Sequence, residues 1–563
     1  MKKPLYLFTS SILAASLLGN PAQAQSWGDE VTGGESTSAR DSAQARRTTN
    51  STTRPVSVIP YIEVSQILLH ELSPGDDTVT YTQVAAGVDA TVTGRNNGGS
   101  VSLRYERNFG WGSNASDTST LSGVARGYAS IVPQALTMEA GAMAARTHVD
   151  GTGGATPGSL FDADADSKVY SAYVGPNLHT RAGDVQVNAN YRFGYTKVEA
   201  PDAYVPAPGA APVDVFDDST THSANIHMGT AAGEPLPVGL GVGAGFYQED
   251  ISNLDQRVRD MHVRADINVP LTRNLAAVAG VGYEDVEVSA RDALRDIDGN
   301  PVVGSDGRLV TDKSAPRQLA YDTSGLIWDV GVLWRPSTRT SLEAHVGRRY
   351  DSTTYYGSFA WAPNNRSSFN VSVYDGIMGF GGRMNDALAN LPTNFQASRN
   401  PLTGDINGCV SGVNGSDCLT GVLGSVRSAV FRSRGVAATY GVQAGRLAAT
   451  FGMGYDRRKF IAPDGTVLAA ANGLTDETFW IAYNLDGQVG RDGSFSVATY
   501  ANWFDSGITN AGAFGFGSSA AYRHAITSRL SARAAIAYDF LDSDLSIEDL
   551  AAASALLGLR YDF

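Results

Sequence analysis

The chain has 563 residues, a formal net charge of −14 at pH 7, 62 glycines and 24 tyrosines. This acidic balance argues against a nucleic-acid partner, because surfaces that bind nucleic acid are basic. Beyond the N-terminus, Gly, Asn, Asp or Ser interrupts the apolar runs, so the sequence offers no further candidate for a membrane-spanning helix.

The N-terminus has the three parts of a secretory signal peptide. Lys2 and Lys3 are followed by an apolar stretch over residues 5–18 and by a small-x-small cleavage site at residues 22–24. We therefore predict a signal peptide over residues 1–24. An N-terminal membrane anchor is the alternative, but a spanning helix needs roughly 20 apolar residues. Residues 25–54 are polar and aperiodic, which predicts a flexible periplasmic linker.

Residues 55–563 alternate between apolar and polar side chains in segments that are separated by turn residues. One segment places Val185, Val187, Ala189, Tyr191, Phe193 and Tyr195 on one face, and Gln186, Asn188, Asn190, Arg192, Gly194 and Thr196 on the other. Such strands suit a sheet with lipid on one side and a wet lumen on the other. The pattern predicts an all-β fold, a transmembrane antiparallel β-barrel. A soluble β-sandwich also alternates, but it would rarely keep its short turns on one edge only.

The connections alternate between short and long, as in a barrel with short periplasmic turns and long extracellular loops. Ten short turns are predicted at residues 95–99, 132–134, 182–184, 233–237, 272–274, 336–339, 363–366, 444–446, 490–493 and 527–529. Together with eleven longer connections they give about 22 strands and place both ends of the barrel on the periplasmic side. We therefore predict a barrel over residues 55–563 in the cell outer membrane of a Gram-negative bacterium.

The last strand ends on an aromatic residue. Leu557, Leu559, Tyr561 and Phe563 share one face of it, while Gly558, Arg560 and Asp562 share the other. This ending resembles the assembly signal of bacterial outer-membrane barrels. The resemblance implies that Tyr561 and Phe563 are recognised by the barrel assembly machinery.

Both cysteines of the chain, Cys409 and Cys418, lie in one long polar connection, residues 382–428. An even number of cysteines in an oxidising compartment favours a disulfide. Two free thiols are the alternative, and a metal site is disfavoured because no histidine lies near either residue. The connection either folds inward as a constriction or covers the outside of the barrel.

The predicted lumen face carries charges of both signs. The lumen-lining candidates are Arg104, Glu106, Arg192, Arg264, Asp266, Asp329, Glu343, His345, Arg349 and Arg533. Mixed charge indicates a path for polar solutes or paired structural charges, whereas a ring of one sign would indicate ion selectivity. The inward tyrosines Tyr173, Tyr247, Tyr356 and Tyr500 would either stack on sugar rings or fill space. The sequence shows no catalytic constellation and indicates neither a cofactor nor a resident metal.

The middle of the chain carries a family resemblance. Trp334 ends a strand, a Pro-Ser-x-Arg-Thr turn follows at residues 336–340, and a Gly-Arg-Arg-Tyr strand end follows at residues 347–350. These segments resemble outer-membrane β-barrel porins of alphaproteobacteria, including barrels associated with exopolysaccharide and PEP-CTERM sorting loci. The resemblance covers most of residues 55–563 through short motifs. It implies a porin or an export channel without catalytic residues.

These observations predict a porin-like channel for polar solutes, related to saccharide or exopolysaccharide, rather than an enzyme. The alternative is a structural or adhesive barrel that binds a partner through its external loops. An energised receptor is disfavoured, because residues 25–54 are too few to form a plug domain. The expected partners are outer-membrane lipid and lipopolysaccharide, the assembly machinery and a saccharide solute.

Overall fold

The structure is a computed structural model that describes residues 56–112, 117–149, 155–157, 166–199, 218–233, 236–412, 415–423, 427–508, 510–544 and 549–563. The predicted signal peptide, residues 1–24, and the predicted linker, residues 25–54, lie outside the described residues. Among the described residues, no helix combines the length and the apolar character needed to cross a membrane.

The strands follow one another along the chain almost without helices between them. In chain order they are β1 (Val56–Ser73), β2 (Thr78–Thr93), β3 (Asn97–Trp111), β4 (Thr118–Val132), β5 (Leu136–Val149), β6 (Ala155–Pro157), β7 (Asp166–Ala182), β8 (Val185–Glu199), β9 (Asp218–Thr230), β10 (Gly239–Ile251), β11 (Gln256–Pro270), β12 (Leu275–Ala290), β13 (Gln318–Ser337), β14 (Thr340–Arg349), β15 (Ser352–Asn364), β16 (Ser367–Met378), β17 (Phe395–Arg399), β18 (Ile406–Gly412), β19 (Gly415–Cys418), β20 (Phe431–Ala444), β21 (Leu447–Phe460), β22 (Thr475–Val489), β23 (Gly493–Ser506), β24 (Ala511–Ala525), β25 (Leu530–Ser543) and β26 (Leu550–Asp562).

These strands form one large closed sheet and one small sheet. The large sheet has 23 strands, of which β6 pairs only with the end of β5, and the small sheet comprises β17–β19. The remaining 22 strands are antiparallel neighbours, and β1 pairs with β26 from Tyr61 opposite Asp562 onward, which closes the ring. The predicted all-β transmembrane barrel of about 22 strands is confirmed.

The side chains alternate between the two faces of the ring. On β11, Val263 is 55% exposed and points outward, whereas Arg264 is 4% exposed and points inward. On β8, Tyr191 and Tyr195 are exposed on the outer face. The barrel thus has an apolar and aromatic exterior and a polar interior, as a lipid-facing barrel requires.

All ten predicted short turns join consecutive ring strands at one end of the barrel, which we call the short-turn rim. The other end is the long-loop rim. One of the eleven longer connections, predicted near residues 350–353, is instead a tight turn, since Tyr350 and Asp351 alone join β14 to β15. Both residues have a positive φ, 55° and 51°, which is the geometry of a tight hairpin turn.

The described residues of the connection between β16 and β20 fold into the barrel. This connection comprises residues 379–430, which we call the inner segment. It contains the inner helix Phe380–Asn390, the small sheet β17–β19 and a short helix, Thr420–Leu423. Two 3₁₀ helices, Asn253–Asp255 and Val467–Ala471, lie in connections at the long-loop rim.

Candidate functional site

The inner helix begins at a carboxylate of the barrel wall. Glu249 on β10 accepts hydrogen bonds from the backbone N–H groups of Gly379 (2.6 Å) and Gly382 (3.0 Å). A negative charge at a helix N-terminus satisfies unpaired N–H groups and opposes the positive end of the helix dipole. Glycine permits this close approach, because a Cβ atom at Gly381 would overlap Ser219 Oγ and one at Gly382 would overlap the hydroxyl of Tyr247.

The inner helix packs on the inner faces of β5, β7, β8 and β9. Met384 and Leu388 are fully buried in an apolar cluster with wall residues that include Val169 and Val198. The amide nitrogen of Asn385 donates to the hydroxyl oxygen of Thr196 on β8 (3.2 Å). The helix is therefore fixed by apolar packing and by polar contacts with the wall.

A salt bridge fixes the same helix to β8. Arg192 donates to Asp386 at 2.9 Å. Burial raises the pKa of the Asp386 carboxyl, and the positive charges of Arg192 and Arg383 oppose this effect. Arg192, one of the predicted lumen-lining residues, thus holds the inner segment in place.

The small sheet lies deeper, toward the short-turn rim. The backbone N–H of Phe395 donates to Ser100 Oγ on β3 (3.1 Å), three residues from the start of that strand. Arg399 donates to the backbone carbonyl of Ser102 (2.9 Å) and to the hydroxyl of Ser122 (2.8 Å). On the opposite side of the sheet, Ser398 donates to Asn484 on β22 (3.1 Å).

Cys409 and Cys418 lie directly opposite each other on β18 and β19 and form a disulfide. Both are buried in a cluster with Trp480 and Ala482 of β22. A Cβ atom at Gly452 on β21 would overlap Cys418 Sγ, so the disulfide lies directly against the wall. This bond joins two strands of the inner segment to each other and not to the barrel.

The turn between β17 and β18 is surrounded by charged and polar wall residues. Arg146 on β5 pairs with Asp405 at 2.9 Å, and their side chains are 6% and 1% exposed. Arg533 on β25 donates to the carbonyl of Pro401 (2.6 Å), and Gln83 on β2 donates to the carbonyl of Leu402 (3.1 Å). The inner segment therefore contacts strands that lie far apart around the ring.

Three of the predicted lumen-lining residues form a buried ion cluster beside this turn. Arg104 pairs with Glu63 at 3.0 Å and with Glu106 at 2.9 Å. Arg533 also pairs with Glu63, at 2.7 Å. A Cβ atom at Gly404 would overlap Glu106 Oε2, so the inner segment covers this cluster.

The other six predicted lumen-lining residues lie on β11, β13 and β14, and we call them the charged wall. Arg264 makes a bidentate contact with Asp329 (2.7 and 2.8 Å) and also donates to Asp266 (2.9 Å). His345 lies between Asp329 and Glu343, with 3.0 Å to each.

Arg349, the sixth member of the charged wall, lies nearer the long-loop rim. It pairs with Asp260 on β11 (2.6 Å) and with Glu284 on β12 (3.0 Å). The positive charges of the wall are thus balanced by carboxylates on the same group of strands.

The four inward tyrosines pack against protein. Tyr173, Tyr247 and Tyr500 are buried, and the ring of Tyr356 stacks on His345 with centroids 4.7 Å apart. Tyr247 donates to Glu249 (2.7 Å) beneath the inner helix. In this arrangement their rings fill space and support the lumen wall.

At the end of the chain, Tyr561 and Phe563 lie at the short-turn rim. Their ring centroids are 5.2 Å apart, and Phe563 is 64% exposed. The backbone N–H of Phe563 donates to the carbonyl of Pro60 on β1 (3.0 Å), next to the closing seam of the ring.

Several functional residues were not among the sequence candidates. Glu63 and Glu284 could have been found, because both occupy inward positions of alternating strands. Asp386 and Asp405 could not, because no periodic pattern in the inner segment indicates which side chains meet the wall. The structure shows no group of three or more His, Cys, Asp or Glu residues in its described ranges that could hold a metal ion.

No protein-family model matches the sequence, and no curated protein matches it significantly. Solved structures with a similar fold include the FrpB iron transporter from Neisseria meningitidis (F3-3 variant), which is 11% identical with a TM-score of 0.42, covering 92% of this chain and 83% of that chain. The closed form of the ferric-catecholate import receptor Fiu from E. coli K12 is 9% identical with a TM-score of 0.41, covering 89% and 81%. The siderophore receptor PirA from Acinetobacter baumannii is 9% identical with a TM-score of 0.37, covering 91% and 81%.

Proposed function

We propose that the protein is an outer-membrane channel for polar solutes, and that its inner segment narrows the lumen. The observation that carries this proposal is the inward fold of the described residues of the inner segment within a barrel whose inner wall is polar and charged. The apolar exterior and the position of all ten predicted short turns at one rim support the outer-membrane location, with the short-turn rim in the periplasm.

The dimensions support a partial constriction. With strands about 4.8 Å apart and tilted by roughly 40°, a circular ring of 22 strands measures roughly 40 Å across between backbones. A helix with its side chains is about 10–12 Å wide, and three paired strands span roughly 10–15 Å. The helix and the small sheet together are narrower than the ring, which supports an inner segment that narrows the lumen and leaves a path beside it.

The charges support a polar solute that is not selected by sign. In the charged wall, Arg264 pairs with Asp266 and Asp329, and His345 pairs with Asp329 and Glu343. Arg349 pairs with Asp260 on β11 and Glu284 on β12. Neutralised pairs give a hydrophilic surface without the strong field of a single-sign ring. The resemblance to barrels of exopolysaccharide loci makes neutral and acidic saccharides the first solutes to test.

The test is the conductance of the purified mature protein in planar bilayers, followed by liposome swelling with sugars of increasing size. We expect a steady conductance, and swelling rates that fall with sugar size. A correctly folded barrel that conducts no ions would refute the channel. That outcome would favour a structural or adhesive barrel that binds a partner through its external loops.

A further inference from the structure

Four basic side chains lie together on the outer surface of the barrel near the long-loop rim. They are Arg432 and Arg434 on β20 and Arg457 and Lys459 on β21, and we call them the basic patch. Their positions alternate with the inward residues Ser433 and Arg458, both of which are buried. Arg457 is 56% exposed and Lys459 is also exposed, whereas the side chains of Arg434 and Arg432 are 29% and 14% exposed. The patch is therefore open to its surroundings mainly on β21.

The sheet places these like charges directly opposite one another. Arg432 is the register partner of Lys459, and Arg434 is the register partner of Arg457. Like charges at directly opposite positions destabilise an antiparallel pair. An anion bound between the four cations would reduce their mutual repulsion and stabilise the pairing of β20 with β21.

The carboxylates nearby balance only half of the positive charge. Asp375 on β16 is shared by Arg432 (2.7 Å) and Arg434 (3.2 Å), and Glu477 on β22 pairs with Arg457 (3.3 Å). Among the described residues, Lys459 has no carboxylate within salt-bridge distance, and its other register partner is the neutral Thr475. Within salt-bridge distance the four cations therefore have two carboxylates, and the next outward carboxylate is Asp505 on β23, the register partner of Glu477.

Other outward cations near the same rim are balanced. Arg107 on β3 pairs with Asp117 (3.5 Å), and Arg259 on β11 lies within reach of both Glu287 (3.1 Å) and Asp285 (3.8 Å). The excess positive charge is thus a local property of β20 and β21.

The surface next to the patch, toward the middle of the barrel, is apolar. Val436 and Tyr440 on β20, and Met453 and Tyr455 on β21, are exposed on the same outer face. A ligand that covers both regions is an amphiphile, with an anionic headgroup on the cations and acyl chains along the apolar strands.

We propose that the basic patch binds the phosphate groups of lipopolysaccharide, through the phosphorylated lipid A anchor that forms the outer leaflet of the outer membrane. This inference rests on the proposed outer-membrane location and does not require that the barrel conducts. Arg434, Arg457 and Lys459 hold the phosphates, while Asp375 keeps the two arginines of β20 in position.

The test uses native mass spectrometry of the full mature protein in detergent, titrated with diphosphoryl lipid A. The variant Arg434→Gln/Arg457→Gln/Lys459→Gln removes three charges, and we expect it to bind at least roughly tenfold more weakly. Arg107→Gln, an outward cation with its own carboxylate, is the matched control and should bind lipid A as the unmodified protein does. The triple variant should still fold, because it loses like-charge repulsion, and a heat-modifiable gel shift checks this.

Two further measurements distinguish the phosphates of lipid A from free inorganic phosphate as the ligand. Monophosphoryl lipid A should bind more weakly than the diphosphoryl form, and millimolar inorganic phosphate should not displace bound lipid A. Equal binding by the triple variant and the unmodified protein would overturn the proposal, as would full displacement by inorganic phosphate. Bilayer conductance should be the same in the triple variant, so loss of lipid A binding is distinguishable from failure of the channel function.

Discussion

The buried ion pair between Arg146 on β5 and Asp405 in the inner segment is the contact whose loss should release that segment from the wall. Its atoms are 2.9 Å apart and its side chains are almost fully buried. Removing one member of a buried pair leaves an unpaired charge and costs roughly 3–5 kcal/mol. Glu106 also attracts Arg146 and offsets part of this loss. We therefore expect Asp405→Ala to weaken the attachment of the inner segment by about 3 kcal/mol.

A change of about 3 kcal/mol raises the detached population of the inner segment roughly 100-fold. Hydrogen exchange measured by mass spectrometry on the mature protein in detergent should show faster exchange over residues 395–412. The ring strands should keep their protection, because their hydrogen bonds close around the barrel without the inner segment.

Two further variants sharpen the measurement. Arg107→Ala breaks an exposed pair on the outer face, worth about 0–1 kcal/mol, and should leave residues 395–412 protected. The double variant Arg146→Met/Asp405→Leu removes both charges and should recover much of the protection. The reasoning would be refuted by unchanged exchange in Asp405→Ala, or by an equal rise in the ring strands.

Three other substitutions test separate parts of the structure. Cys409→Ser removes a disulfide within the inner segment and should cost roughly 2–4 kcal/mol of local stability. The expected result is faster hydrogen exchange over residues 406–418, and a marked fall in the melting temperature of the barrel would contradict this. Gly382→Ala should displace the inner helix from the wall, because the added Cβ atom would overlap the hydroxyl of Tyr247, and should thereby raise bilayer conductance. Gly325→Ala should have neither effect, because its added Cβ atom has no other atom within 4 Å. Phe563→Ala should lower the yield of assembled barrel in cells, with folding of the purified chain in detergent unchanged. Leu557→Ala, on β26 and 69% exposed against 64% for Phe563, should assemble normally.

The ring could be predicted from the sequence because its signals are local. A strand shows its two faces within a few residues, as β8 does with Tyr191 outward and Arg192 inward, and Gly or Pro marks the tight turns. The closing pair of β1 and β26 followed from the even number of strands and not from any contact visible in the sequence.

The inner segment could not be predicted in the same way. Whether residues 382–428 fold inward or outward depends on contacts between residues far apart in the chain, such as Glu249 with Gly379 and Arg146 with Asp405. One feature of the sequence agrees with the inward fold, because Gly381 and Gly382 allow the inner helix to approach the wall closely. A glycine pair by itself does not identify the surface that it approaches.

The most direct test of the proposed channel is to remove the inner segment. Met378 and Phe431, which flank it, are register partners in the sheet, so a two-residue Asn-Gly turn can replace residues 379–430 and leave the ring intact. We expect the shortened protein, once shown to fold by its heat-modifiable gel shift, to give a single-channel conductance several times that of the full protein in planar bilayers. Equal conductance of the two proteins would contradict the claim that the inner segment limits the path, and silence of both would contradict the channel itself.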